Sequence, residues 1–107
     1  MIHIEILYQG TQAVLFAKEM MESGVVHSIR QEKGNIRYEY YQPFSKENQI
    51  LLIDEWENQE AINQHHQSEA MNKIMTLRDK YNVHMTVHRF RLEEDEVPSY
   101  DHSFIRE

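Results

Sequence analysis

The chain has 107 residues, 40% of them hydrophobic and 27% charged, with no cysteine and a net charge of −7, a composition that fits one globular domain of ordinary size. Without cysteine, disulfides, thiolate metal sites and a thiol nucleophile are excluded. The acidic balance, with basic residues scattered singly apart from Arg89 and Arg91, argues against nucleic acid and anionic membrane surfaces as partners, and no apolar run approaches the ~20 residues that span a bilayer.

The opening stretch "MIHIEILYQG" lacks the basic flank of a signal peptide, so a cytoplasmic protein is expected. Residues 2–8 set Ile2, Ile4 and Ile6 against His3 and Glu5, the period of a half-buried strand. Between residues 11 and 33 the period changes. Ala13, Phe16, Ala17, Met20 and Gly24 recur at three- and four-residue spacing and predict one amphipathic helix. Gly24 inside it predicts a close approach by another element, since glycine there otherwise only weakens the helix, and Gly34 predicts its stop. "NIRYEYYQPF" predicts a strand with Ile36, Tyr38 and Tyr40 on one face and Arg37, Glu39 and Tyr41 on the other, followed by the polar turn "SKEN". In "QILLIDEW" both faces are apolar: Ile50 and Leu52 share one with Trp56, while Leu51 and Ile53 share the other with Glu55. Asn58 and Ser68 are good N-caps for two successive helices. "NVHMTVHRFRL" predicts a last strand that sets Val83, Met85 and Val87 against His84, Thr86, His88 and Phe90.

This order is the β-α-β-β-α-β pattern of a ferredoxin-like α+β fold, an antiparallel sheet with helices on one face. Helices cover one face only, so the apolar second face of the third strand predicts a homodimer formed by two-fold symmetry. The domain is expected to span residues 1–92. Residues 93–107, "EEDEVPSYDHSFIRE", form an acidic tail whose Tyr100, Phe104 and Ile105 suit docking on the partner subunit.

Candidate chemistry narrows quickly. His84 and His88 stand about 13 Å apart along a strand and cannot chelate one ion together. His65 and His66 diverge by about 100° around a helix, and no HExxH or facial triad is present, so no metal is expected. Three glycines make no phosphate-cradling loop. Ile62 lies three and four positions before His65 and His66, so both flank the apolar face of their helix. One of them turned toward the sheet would titrate near neutrality and could exchange a proton with a bound molecule; the alternative is a histidine bonded to a backbone carbonyl at the helix edge. Trp56, Tyr38 and Tyr40 taken singly read as packing residues.

Taken together, "GNIRYEYY" (34–41), "ILLIDEWENQEAINQHHQS" (50–68) and the closing strand resemble the antibiotic biosynthesis monooxygenase family, small dimeric α+β barrels. Gly34, Tyr38, Glu55, Trp56, His65 and Ser68 carry the resemblance. It implies an oxygenase that uses O₂ on a quinol or polycyclic phenol, with no metal, flavin or other cofactor, in a pocket between sheet and helices. His65 is then the proton acceptor, and Tyr38 and Trp56 line the ring or bond it. Glu55, Met71 and Met75 join them as substrate-binding residues, within a methionine set, Met20, Met71, Met75 and Met85, that suits an adaptable pocket. The haem-degrading branch of the same superfamily is the alternative. Its tryptophan and haem-ligating histidine fall here at His65 and near Met75, and the first strand, "IHIEILY", lacks its asparagine. A further alternative is a non-catalytic binding domain of the same fold. An open, polar-tipped pocket beside His65 favours the enzyme; one filled by methionines favours the binding domain.

Overall fold

In the computed structural model, which describes residues 1–107, strand β1 (Ile2–Gln9) is central in a four-stranded antiparallel sheet of order β2-β3-β1-β4. β2 spans Asn35–Tyr41, β3 Gln49–Trp56 and β4 His84–Arg91. The alternation in β1 is used on both flanks, with Ile6 opposite Leu52 of β3 and Val87 of β4. Helices α1 (Ala13–Glu22), α2 (Val25–Arg30), α3 (Gln59–His66) and α4 (Glu69–Lys80) pack on the face that carries Ile2, Ile6, Tyr8, Ile50, Leu52 and Trp56, all buried. This is the ferredoxin-like α+β arrangement.

The single helix predicted over residues 11–33 is two. Gly24 sits at φ +85°, a left-handed conformation that ends α1, and nothing lies within 4 Å of where its Cβ would be. Glycine is used there for backbone hand rather than for close packing. The break lets α1 bury Ala13, Phe16, Ala17 and Met20 while α2, on a new axis, buries Val25, Val26 and Ile29.

The close approach belongs to Gly34 instead. It too has φ +85°, and a Cβ there would stand 2.6 Å from the Cβ of Ala61 on α3. The helix has already ended at Arg30, so Gly34 serves the entry to β2. Its carbonyl accepts the Glu57 N–H at 2.9 Å, which pins that entry to the end of β3. A bulge between Asn35 and Arg37 shifts the register of β2, and Ile36, expected beside Tyr38, is 48% exposed while Tyr38 is buried.

The two capping residues divide the second helical segment. Asn58 Oδ1 accepts the Ala61 N–H at 2.9 Å. Ser68 Oγ accepts the Met71 N–H at 3.2 Å and donates to the His65 carbonyl at 2.6 Å. One hydroxyl thereby closes α3 and opens α4.

Two surfaces stay uncovered. The second face of the sheet, with Leu7, Leu51, Ile53 and Tyr41, meets no helix, and the edge strand β4 is exposed along its whole length. Beyond Leu92 the chain reaches a 3₁₀ turn, Ser99–Phe104, whose Tyr100 and Phe104 are 77% and 87% exposed. The radius of gyration, 15.8 Å, exceeds the roughly 13 Å of a compact chain of this length because the tail projects. No helix is long and apolar enough to cross a membrane.

The two glycines separate two costs. Gly24→Ala adds left-handed strain alone, about 1–2 kcal/mol. Gly34→Ala adds the same strain plus the collision with Ala61, a further ~1–3 kcal/mol of overpacking. Urea denaturation should therefore rank Gly34→Ala below Gly24→Ala; equal losses would mean that the β2 entry yields freely.

Candidate active site

Because α3 and α4 stop short of covering β4, a cavity of about 290 Å³ opens between these helices and all four strands, β2 contributing Tyr38. Ile4, Ile62, Ile74 and Val87 give it apolar walls, and Tyr38, Trp56, His65, Met71 and Met85 also line it. It is open rather than filled by methionine. A larger groove of about 420 Å³ beside α1 and α4 contains no histidine or aromatic ring.

His65 is in the last turn of α3 and is 5% exposed. Its ring lies 4.8 Å from that of Trp56, tilted by 32°. His66, 5.8 Å away ring to ring, stays exposed at the rim of the same cavity. His65 bonds no backbone carbonyl through its ring. Its Nδ1 stands 3.0 and 3.1 Å from the two carboxylate oxygens of Glu32, so Nδ1–H donates and Nε2 keeps the free lone pair. Burial pushes the imidazole below its usual pKa, and the Glu32 carboxylate opposes that shift only in part. The ring is neutral at pH 7, the form that accepts a proton.

Glu32 was not among the expected residues. It lies in the turn between α2 and β2, 33 positions before His65, and nothing in its neighbourhood marks it. What brings it there is Gly34: with no side chain two residues on, the turn closes onto α3 at Ala61, one turn of helix before His65.

Strand parity also points to Asp54. It shares the Trp56 face of β3, and β1 and β2 flank it with Ile4 and Tyr38. Asp54 Oδ1 accepts the Trp56 Nε1–H at 2.7 Å, fixing the indole plane beside the cavity. Burial raises its pKa to about 7, against the opposing pull of that N–H. Near neutrality Asp54 therefore populates both the acid and the carboxylate.

Not every expected residue meets at this site. Tyr38, Trp56, His65 and Met71 do. Tyr38 is anchored by its own carbonyl, which accepts from Arg30 Nε at 3.0 Å and Nη2 at 2.7 Å, and burial holds its hydroxyl well above the usual pKa. Glu55 is a correction: on the opposite sheet face from Trp56, it is bonded to His3 Nδ1 at 2.6 Å, while His3 Nε2 reaches Glu5 at 2.9 Å. Met75 is a second, on the outer side of α4 and 55% exposed, while Met20 is sealed in the core beneath α1. No three His, Asp or Glu side chains converge in an arrangement able to hold a metal ion.

Comparison with known proteins bears on the family and the fold. The model of the antibiotic biosynthesis monooxygenase family matches residues 2–77. A Deinococcus radiodurans structure assigned to antibiotic biosynthesis monooxygenases is similar with a TM-score of 0.76 and 16% identity, over 91% of this chain and 97% of that one. SnoaB, a cofactor-independent oxygenase from Streptomyces nogalater, is similar with a TM-score of 0.75 and 11% identity, over 92% and 97% of the two chains. A conserved Bacteroides thetaiotaomicron protein gives 0.72 and 14%, over 83% and 94%. At these identities the likeness to solved structures is one of fold. The sequence matches no protein of curated function.

The Glu32 contact has a measurable signature. In ¹⁵N-resolved NMR titrations His65 should titrate below 6.5, and Glu32→Gln should lower it further, because the carboxylate favours the imidazolium. With its native pKa depressed, this group takes up protons less readily folded than unfolded, so its contribution makes stability fall as pH drops below 6.5. A His65 pKa unmoved by Glu32→Gln would dissolve the pairing.

Proposed function

The chain belongs to the antibiotic biosynthesis monooxygenase family, and from that premise we propose that it oxygenates a quinol or related phenol with O₂, without metal, flavin or other cofactor. The observation that carries this reading is a neutral, buried histidine, tied at Nδ1 to Glu32, beside an indole in an open cavity of about 290 Å³. That volume is at the lower end of small-molecule sites and suits a quinol better than a large polycycle.

The chemistry asks little of the protein. His65 Nε2 takes the proton of a ring hydroxyl, and the resulting phenolate is electron-rich enough to reduce O₂ itself. A new carbon–oxygen bond forms at the ring, a hydrogen leaves that carbon, and the second oxygen atom departs as water; hydroquinone plus O₂ gives hydroxyquinone plus H₂O. Glu32 compensates the imidazolium formed on the way, a role for a fixed charge in a water-poor site. Trp56, steadied by Asp54, supplies a flat wall against the ring, and Tyr38 adds a hydroxyl that stays neutral. The fold likeness to SnoaB supports the absence of a cofactor. The open cavity favours this reading over a binding domain whose methionines would occupy it.

The reading includes assembly. Leu7, Leu51, Ile53 and Tyr41 on the sheet face that no helix covers fit a second copy related by two-fold symmetry, and the exposed Tyr100, Phe104 and Ile105 of the tail fit the flank of that partner. Sedimentation at micromolar concentration should then give about twice the chain mass of 13.0 kDa. Deleting residues 97–107 should lower the melting temperature of the assembly; a monomer throughout, or a melt indifferent to the deletion, would remove the interface or the arm respectively.

Turnover of a hydroquinone panel, aerobic against anaerobic, tests the chemistry. His65→Ala should lower it by roughly 10²-fold or more per folded molecule, the scale of general-base catalysis, and should also lower the melting temperature, because a buried ring bonded to Glu32 is lost. His66→Ala, at the rim and without a fixed partner, should cost only a few-fold. Equal losses in both variants, or none in either, would sink the assignment of the base.

A further inference from the structure

Arg78 also lines the cavity, and the proton chemistry of His65 does not use it. Its guanidinium makes one side-chain hydrogen bond, from Nη2 to the Tyr8 hydroxyl at 2.9 Å, and stands 5.6 Å from the centre of that ring. Nε is buried without a protein acceptor. Arg78 takes part in none of the chain's ion pairs.

A guanidinium is ionised at any physiological pH, so this is a standing positive charge. Arg78 is half-buried, and although Asp54 lies near enough to feel its charge, no carboxylate forms an ion pair with it, which is costly for an ion taken partly out of water. Tyr8 cannot supply the missing charge: it is fully buried, and burial raises the pKa of its hydroxyl, keeping it neutral. The other titratable groups lining the cavity are Tyr38, whose buried hydroxyl stays neutral, Asp54, His65, His66 and, at the rim, Arg89. Asp54 is already bonded to Trp56, and the imidazoles bring no negative charge. Within a chain of net charge −7, the cavity thus gathers two permanent cations against one acid.

We propose that Arg78 binds a carboxylate carried by the aromatic ligand, so that the molecule oxidised is a quinol bearing an acid group. This inference rests on the quinol reading above and adds to it a specificity determinant. Guanidinium–carboxylate pairing is the strongest polar contact such a cavity can offer. With the acid held on α4 and the base on α3, one ring position is presented to His65, and a neutral quinol of the same size lacks that register.

Binding measured by calorimetry under argon tests this without turnover, using gentisate (2,5-dihydroxybenzoate), its methyl ester and hydroquinone. Gentisate should bind at least about 10-fold more tightly than the ester or hydroquinone, an ordinary return for one charge-assisted pair. Arg78→Met should bring the three ligands within about twofold of one another. Arg78→Gln, which keeps a donor toward Tyr8 without the charge, should do the same and is read instead if the methionine variant fails to fold. Arg89→Met should leave the preference in place. Equal affinities in the unaltered protein, a preference that survives loss of Arg78, or one abolished by Arg89→Met instead would each overturn the proposal. Because the measurement excludes O₂, gentisate held through Arg78 but never oxidised in air would count against the oxygenase reading alone.

Discussion

The contact on which the site depends is the one at Gly34, where the backbone entering β2 lies against Ala61 with no room for a side chain. Its left-handed turn ends the connection from α2 and sends the chain into the sheet beneath α3. The same approach holds Glu32 over the last turn of α3, where it meets His65. A hydrogen bond from Glu57 to the Gly34 carbonyl ties this turn to the end of β3 that carries Trp56. One position without a Cβ thus registers three elements against each other, and imidazole, carboxylate and indole share a cavity wall because of it.

Strand β3 divides the chemistry of the protein by parity. Asp54 and Trp56 face the helices; Ile53 and Glu55 face away. Two neighbouring carboxyl groups, both about 6% exposed, consequently live in unlike surroundings. Asp54 is among aromatic rings with a single indole N–H for company, and burial dominates its titration. Glu55 is held by a histidine across the ladder, in a cluster on the face that no helix covers.

Element order, sheet class and both capping residues were legible in the sequence because each rests on local information: a period of two, a period of three to four, or a side chain bonding an amide three residues on. Gly24 and Gly34 were legible as special positions but not in their roles, since a glycine used for backbone hand and one used for close approach look alike until their neighbours are known. His65, Trp56 and Tyr38 were readable as a set through family resemblance. Asp54 is legible by strand parity, since it shares the face of Trp56, whereas the family motif points to Glu55 on the other face. Glu32 and Arg78 were beyond reach: one joins His65 across 33 residues, the other meets Tyr8 across 70, and neither spacing leaves a trace in the local pattern. Met75 shows the opposite error, a residue type suited to a pocket but on the wrong side of its helix.

His3 has a consequence of its own. One ring nitrogen stands 2.6 Å from Glu55 and the other 2.9 Å from Glu5, a geometry that the protonated ring satisfies by donating to both carboxylates, and the hydrogen bond to Glu55 leads the rise in its pKa. This bridge sits on the uncovered face, beside Phe90 and with His88 across the ladder from Glu5. Its stabilisation is complete below pH 6.5 and fades as pH rises through the elevated pKa, when one carboxylate loses its donor. Any surface that closed over this face would enclose the bridge, and its proton with it.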